Sequence, residues 1–295
     1  MGVVTRRAAV PATRPPTMTG MHRAFRFGVV AAPMGNGEQW QRTARRVEEL
    51  GYSTLLVPDG PQLLSSFPSL AVAASVTRTI RVGSYVIASP LRHPRLAAWD
   101  AHSMSVLTGG RFDMGIGTGR PEVAEQAVEQ FGQPRTTAGQ RLVQVEQTID
   151  CLRELDGDRR TPVLVATGGP RARALAAAKA DIIAVSAGPL ASRQDMARAV
   201  AELREAAGER ADQIELQTNI FVLGDEMPEW TARFLGTDPT TLIAHDSLVM
   251  LRGESPRQMA DELQRRREAF GVSYVSVNAV FMEPMVPVAE LLTGT

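Results

Sequence analysis

Residues 163–171 read Val-Leu-Val-Ala-Thr-Gly-Gly-Pro-Arg, a short apolar run that ends in two glycines. The run is typical of a buried β-strand, and the sequence that follows the glycines is typical of a helix that starts at once. This stretch therefore predicts one strand–turn–helix unit of an α/β protein.

The same unit recurs along the chain, and we count eight of them. The predicted strands cover residues 25–30, 54–57, 80–87, 112–117, 163–166, 182–185, 214–222 and 274–277. Each unit takes about 33 residues, the size of a βα repeat in a closed barrel. We therefore predict an α/β fold of one domain, a (β/α)8 TIM barrel. An open doubly wound sheet is the rival, but it usually stops near six strands and often has a glycine-rich first turn, which residues 31–35 lack.

The barrel domain is expected to cover residues 23–295. Residues 1–22 carry three arginines, three prolines and no acid, and they predict a disordered tail without the apolar stretch of an export signal. Residues 224–253 break the rhythm of the repeats and predict an insertion after the seventh strand. Such an insertion falls on the face where barrel enzymes carry their substrate loops, where it could pack over the barrel or contact a ligand.

The composition narrows the classes of binding partner that the protein could have. The formal net charge is zero and the two signs are interspersed, which argues against nucleic acid or an anionic membrane surface and favours a small-molecule partner. No apolar run is long enough to span a membrane, so we expect a cytoplasmic protein. The single cysteine, Cys151, lies on a helical pattern and suits a buried position better than a nucleophilic one.

The predicted strand ends carry glycines and small residues but few acids or bases. The four histidines have no metal-ligand spacing, and we expect no metal. Such a pattern indicates a protein that leaves the chemistry to a cofactor. At Thr167-Gly168-Gly169 the free amides of a helix N-terminus could bind a phosphate, although an ordinary βα turn explains the glycines equally well. The glycines of residues 115–119 could let a flat ring lie against the backbone, or they could simply form a turn.

Several segments in register resemble the luciferase-like monooxygenase family over about residues 25–292. They are Glu49-Leu50-Gly51-Tyr52, Val57-Pro58-Asp59, residues 80–86, Leu91-Arg92-His93-Pro94, residues 107–112, residues 115–119, Gly168-Gly169-Pro170-Arg171 and Ala180-Asp181-Ile182. The resemblance implies a cofactor ring at the carboxyl-terminal mouth of the barrel, and a homodimer formed through helices of the amino-terminal half.

The resemblance also implies which residues hold the cofactor. Asp59, Tyr85, Val86, Ile87 and Ala88 would border the ring, Gly117, Thr118 and Gly119 would line its other side, and Ala166, Thr167, Gly168 and Gly169 would hold its phosphate. A non-proline cis peptide is expected near residues 87–89. His93 is interpreted as a residue that starts a helix. Relatives often have a histidine where this chain has Gly60, so a histidine acid or base is absent at that place.

Asp59 and Arg120 are the catalytic candidates. Arg120 follows Gly117-Thr118-Gly119 and, since an arginine stays protonated, would orient an anionic substrate or an anionic part of the cofactor. The alternative is a solvated arginine paired with Glu122 or another nearby acid.

The leading functional hypothesis is an oxidoreductase that transfers a hydride between coenzyme F420 and a small organic substrate. The choice of coenzyme F420 rests on an arginine-rich composition with one lysine, Lys179, which indicates a GC-rich source such as the actinobacteria, where relatives that use this cofactor are frequent. The alternatives are a monooxygenase that uses reduced FMN and a small-molecule-binding barrel that has lost catalysis.

Overall fold

The computed structural model describes residues 23–186 and 188–295, and the predicted tail of residues 1–22 lies outside these ranges. In the described residues, eight strand positions form the barrel. They are β1 (Arg26–Val30), β2 (Thr54–Val57), β3 (Arg81–Ser84) with β4 (Ile87–Ala88), β5 (Phe112–Gly117), β6 (Val163–Thr167), β7 (Ile182–Val185), β8 (Glu215–Ile220) and β11 (Val272–Asn278). Two short strands, β9 (Val222–Leu223) and β10 (Met250–Leu251), lie outside the barrel.

The strands follow one another around the barrel in the order β3, β2, β1, β11, β8, β7, β6, β5 and β4. Strand β3 also pairs with β5, so the sheet closes on itself. Neighbouring strands pair in parallel, as in β1 with β11 and β6 with β7. The predicted (β/α)8 barrel is therefore confirmed.

Helices surround the barrel and cover its outer face. They are α1 (Gly37–Glu49), α2 (Ser66–Val76), α3 (Pro94–Leu107), α4 (Pro121–Phe131), α5 (Ala138–Asp156), α6 (Pro170–Lys179), α7 (Arg193–Ala207), α8 (Glu229–Leu235), α9 (Pro239–Ala244), α10 (Pro256–Phe270) and α11 (Val286–Leu292). Helix α1 begins with a capping box at Asn36, which satisfies backbone amides of its first turn. His93 caps α3 by accepting from the amide of Arg95, as predicted. Among the described residues, no helix has the length and apolarity needed to span a membrane.

The third barrel strand differs from the prediction. Residues 80–87 were expected to form one strand, but the strand is divided into β3 and β4, and the intervening peptide bond between Tyr85 and Val86 is cis. The expectation of a cis bond near residues 87–89 is therefore wrong in its position.

A single side chain spans the gap where the third strand is divided. Strand β3 pairs with β5 at Val82 and Gly83, and β4 resumes the pairing at Ile87. Between these points the hydroxyl of Ser84 donates to the carbonyl of Gly115 at 2.8 Å and accepts from its amide at 2.9 Å. A Cβ atom on Gly115 would lie 1.9 Å from the carbonyl oxygen of Ser84, so only glycine permits this approach. Ser84 and Gly115 thus join the two strands at the seam of the barrel.

Residues 224–253, where the sequence predicts an insertion after the seventh strand, contain two short helices that lie between two short strands. Strand β9 pairs with β10, and this pair encloses α8 and α9. The buried guanidinium of Arg266 on α10 donates to the carbonyls of Leu248 at 2.9 Å and Met250 at 2.7 Å. The carboxylate of Glu262 accepts from the same guanidinium at 2.8 Å. The end of the insertion is therefore anchored to the barrel by a satisfied buried arginine.

The seam predicts a specific loss of stability in the variant Ser84→Ala. Without the hydroxyl, the buried amide and carbonyl of Gly115 lose their partner, and we expect a loss of about 2 kcal/mol in the free energy of unfolding, measured with urea. The matched control is Ser103→Ala, because the Ser103 hydroxyl only donates to the carbonyl of Trp99 on an exposed helix surface. Equal effects of the two substitutions would contradict the role of Ser84.

Candidate functional site

Two ion pairs of the described residues lie inside the barrel, near one of its ends. At the amino-terminal ends of the strands, Arg26 pairs with Glu215 at 2.7 Å and Arg81 pairs with Asp113 at 2.6 Å. Above these pairs lies a buried cluster of Leu56, Leu164, Ile182, Ala184 and Tyr274. The carboxyl-terminal mouth, where barrel enzymes place their active sites, is separated from the charges by this apolar layer.

A chain of hydrogen bonds crosses the barrel just above the apolar cluster. The hydroxyl of Tyr85 donates to Oε1 of Gln217 at 2.9 Å, and Nε2 of Gln217 donates to the hydroxyl of Ser276 at 2.7 Å. Ser276 in turn donates to Oδ1 of Asn219 at 2.7 Å. Burial raises the pKa of Tyr85 to about 12 against the opposing effect of its hydrogen bonds, so its hydroxyl stays protonated at neutral pH. The floor of the mouth is thus polar and uncharged.

The carboxylate of Asp59 is held by several donors. Its side chain is 3% exposed and forms a two-pronged ion pair with the guanidinium of Arg92, in which Nη2 lies 2.9 Å from Oδ1. Ser66 donates to the same oxygen at 3.0 Å, and the amide of Ala88 lies 3.4 Å from Oδ2. Asp59 therefore ties the loop after β2 to the end of β4.

The remaining residues predicted beside the ring lie on β4, β5 and the segment after β5. The side chain of Ile87 belongs to the core between the barrel and the helices, so only its backbone can face the mouth. Ala88 packs with Leu91 and Ala127. A Cβ atom on Gly117 would lie 3.0 Å from Cγ2 of Val86, and Gly119 has a φ of +70° that favours glycine. The packing of the protein itself therefore accounts for part of this glycine pattern.

The turn at residues 167–169 differs from Gly117 and Gly119, because neither the packing nor the backbone conformation of the protein requires its glycines. Neither Gly168 nor Gly169 has a positive φ, and a Cβ atom on either would meet no other atom within 4 Å. Both glycines are exposed, and Gly169 immediately precedes α6. Open space therefore lies in front of free amides at a helix N-terminus, as an anion site needs.

Of the two arginines beside this turn, Arg173 is already paired. Its guanidinium donates to the carboxylate of Glu202 at 2.5 Å and to the carbonyl of Gly168 at 3.2 Å. Arg171 is exposed. Arg173 thus helps to shape the turn, and only Arg171 extends into solvent beside it.

Arg120 reaches the insertion rather than an acid. Its guanidinium carbon lies 3.7 Å above the ring centre of Phe234, and its Nη1 lies 3.4 Å from the carbonyl oxygen of the same residue. Phe234 in turn stacks on Phe221, with 5.4 Å between the ring centres. In the described residues Arg120 has no ion pair with Glu122, which was the alternative predicted from the sequence. Because β5 and β8 are three positions apart around the barrel, this contact carries the insertion across the mouth.

Four residues of the mouth were missed from the sequence. Arg92 had been noted only as part of a family motif, and Gln217, Asn219 and Ser276 had not been assigned any role. A signal was present in β8, where Glu215, Gln217 and Asn219 alternate with other residues and so share one face of the strand. The alternation shows which residues face inward, but their partners come from other strands.

The described residues form a closed parallel (β/α)8 barrel with buried uncharged donors and acceptors and an open helix N-terminus at its carboxyl-terminal mouth. The model of the luciferase-like monooxygenase family matches residues 23–269, and the chain belongs to this family. The family resemblance drawn from the sequence is therefore confirmed.

The matches to individual relatives are shorter than the match to the family model. Over 82 residues, 26% of this chain and 22% of the relative, the sequence is 40% identical to 4-hydroxyprotoasukamycin monooxygenase of Streptomyces nodosus subsp. asukaensis. Over 137 residues it is 27% identical to an uncharacterized protein of Mycobacterium bovis, and these matches cover less than half of either relative.

Solved structures support the fold over nearly the whole chain. The coenzyme F420-dependent tetrahydromethanopterin reductase of Methanopyrus kandleri has a TM-score of 0.67 and 16% identity, covering 92% of this chain and 99% of its own. EDTA monooxygenase of Chelativorans sp. BNC1 has a TM-score of 0.70 and 15% identity, and the match covers 91% of this chain and 94% of the monooxygenase chain.

The ion pair of Asp59 predicts the effect of Asp59→Asn. This substitution leaves the guanidinium of Arg92 without a counter-charge in a largely buried place, and we expect the free energy of unfolding in urea to fall by about 3 kcal/mol. In the control Asp225→Asn the lost pair with Arg252 is exposed, so the loss should stay below about 1 kcal/mol. A small effect at both positions would show that the buried pair does not hold the loop.

Proposed function

We propose that this protein is an oxidoreductase that transfers a hydride between coenzyme F420 and a small organic substrate at the mouth of the barrel. The observation that carries the proposal is the turn of Gly168 and Gly169, where the chain leaves space that its own packing does not need. The family and the F420-dependent reductase with the same fold support a redox cofactor in this place.

The residues at the mouth fit such a cofactor. The amides at the start of α6 would bind its phosphate, next to Ala166 and Thr167 at the end of β6. Tyr85 and Val86, with the backbone of Ile87 and Ala88, would form one side of the ring site, and residues 117–119 the other. When bound, the cofactor supplies the two-electron chemistry, and the protein supplies orientation and exclusion of water.

For the two catalytic candidates we infer supporting roles. The carboxylate of Asp59 is engaged by Arg92 and Ser66, so we assign it the positioning of β4 beside the ring. Arg120 keeps the proposed role of orienting an anionic group of the substrate or cofactor. Its stacking on Phe234 would hold the guanidinium at the rim of the mouth.

A monooxygenase that uses reduced FMN is the second candidate. It is favoured by the 40% identity to 4-hydroxyprotoasukamycin monooxygenase within an 82-residue stretch, and EDTA monooxygenase has the same fold. The two candidates differ in their reaction with oxygen, because the deazaflavin carries out hydride chemistry whereas reduced FMN must react with oxygen.

The homodimer implied by the family stays a prediction. Leu96, Trp99 and Leu107 on α3 are 54%, 60% and 80% exposed, and they would supply apolar surface for a second copy. A single species with the mass of one chain at all concentrations in sedimentation would contradict it.

Titration with oxidised and reduced coenzyme F420 and FMN tests the proposed function. We expect coenzyme F420 to bind the more tightly, and Gly169→Asp to weaken its binding at least tenfold, because the substitution adds a negative charge and a side chain where an anion would approach. The control Gly37→Asp makes the same change in the first turn of α1, where a Cβ atom also meets nothing within 4 Å. Its affinity should equal that of the parent.

Three outcomes would count against these assignments. Tighter binding of FMN, with oxygen consumed by the loaded reduced protein, would favour the monooxygenase. Binding of neither cofactor would leave the barrel without its proposed chemistry. Unchanged binding in folded Gly169→Asp would remove the phosphate from this turn.

A further inference from the structure

Two asparagines lie on neighbouring strands of the barrel at its mouth. Asn219 is level with Ser276 in the pairing of β8 with β11, and Asn278 lies two residues further along β11. Residues two apart on a strand point to the same face, so Asn278 shares the inward face of Ser276. Both asparagines are only 7% exposed.

The orientation of the Asn219 side chain is determined by the hydrogen-bond chain beneath it. The amide nitrogen of Gln217 lies 3.1 Å from the backbone carbonyl of Thr218, and a rotated amide would place two oxygens against each other there. Gln217 must therefore donate to Ser276, and Ser276 donates to Oδ1 of Asn219. Because Oδ1 of Asn219 is already engaged, the group of Asn219 that can bind a ligand is its N–H2.

Asn278 has no such partner. Its Nδ2 atom is buried and makes no hydrogen bond with any described residue. A buried amide without a partner destabilises a folded protein, so a residue kept for stability alone would be better replaced by an apolar one. The carboxamide of Asn278 is therefore available to a molecule in the mouth.

In the described residues, the inward side chains of β8 and β11 beyond Glu215 are uncharged: Gln217, Asn219, Tyr274, Ser276 and Asn278. The charged pairs of the interior, Arg26 with Glu215 and Arg81 with Asp113, lie at the other end of the strands. Uncharged carboxamides, with both donors and acceptors, match a neutral ligand edge that also has both. A phosphate or carboxylate would instead call for a cation or for free backbone amides such as those at the start of α6.

We propose that Asn219 and Asn278 bind the imide edge of the cofactor ring, the O=C–NH–C=O group that flavins and deazaflavins share. The N–H2 of Asn219 donates to a ring carbonyl, and the carboxamide of Asn278 pairs with the rest of the same edge. Both asparagines are specificity-determining residues for the ring and act independently of the phosphate turn at Gly169. This inference rests on the proposed function, because it requires a cofactor of this class.

The test compares the affinities of variants for oxidised coenzyme F420 and FMN, measured by titration of the purified protein. In Asn219→Asp and in Asn278→Leu, the cofactor that the parent binds should bind about tenfold more weakly, the effect of losing a hydrogen bond to the ring. Asn36→Asp is the control, because this exposed helix cap keeps its acceptor oxygen while adding the same charge as Asn219→Asp. Its affinity should not change.

The cofactor-free proteins give a second readout that separates binding from structure. Since Nδ2 of Asn278 makes no hydrogen bond with any described residue, Asn278→Leu should have a Tm at least equal to that of the parent, while cofactor binding is weakened. Parental affinity in both variants would overturn the inference. A lowered Tm of cofactor-free Asn278→Leu, with a loss of affinity no greater than that of the control, would also overturn it. Failure of the parent to bind either cofactor would instead overturn the proposed function, and this inference with it.

Discussion

The contact between Ser84 and Gly115 is the constraint on which the mouth of the barrel depends. A closed sheet of parallel strands needs unbroken pairing, yet β3 and β4 are separated at Tyr85 and Val86. The hydroxyl of Ser84 replaces the missing backbone partner by serving both the amide and the carbonyl of Gly115. The barrel therefore closes although two residues of the strand do not pair regularly, and Tyr85 reaches across the interior to Gln217.

Most charged side chains in and near the site are engaged in ion pairs, so few of them are available for chemistry. Arg26, Arg81 and their acids lie below the apolar cluster, and Asp59 is paired with Arg92. What remains at the mouth are the uncharged donors and acceptors of the hydrogen-bond chain, the open helix N-terminus at Gly169, and the guanidinium groups of Arg120 and Arg171. Such an arrangement offers hydrogen bonds to a bound molecule but few groups that could transfer protons.

The insertion after β8 forms a further part of the mouth. It leaves the barrel after β8, returns through β10, and is anchored by the buried guanidinium of Arg266. Phe234 on α8 contacts Arg120, which follows β5. This contact joins parts of the mouth that are three strand positions apart.

The sequence by itself determined the number and order of the eight strand positions of the barrel, because the alternation of apolar runs with amphipathic segments is a local property of the chain. It also located the glycine turn at residues 167–169 and the insertion, since breaks in a regular pattern are visible without knowledge of contacts. Only the tertiary structure decided the partners: Ser84 with Gly115, Asp59 with Arg92, Arg120 with Phe234, and the chain from Tyr85 to Asn219. The residues in contact in these pairs, and at each step of this chain, are separated by 31 to 132 residues in the sequence. Closure of the barrel brings them together, and no local pattern specifies which inward side chain meets which.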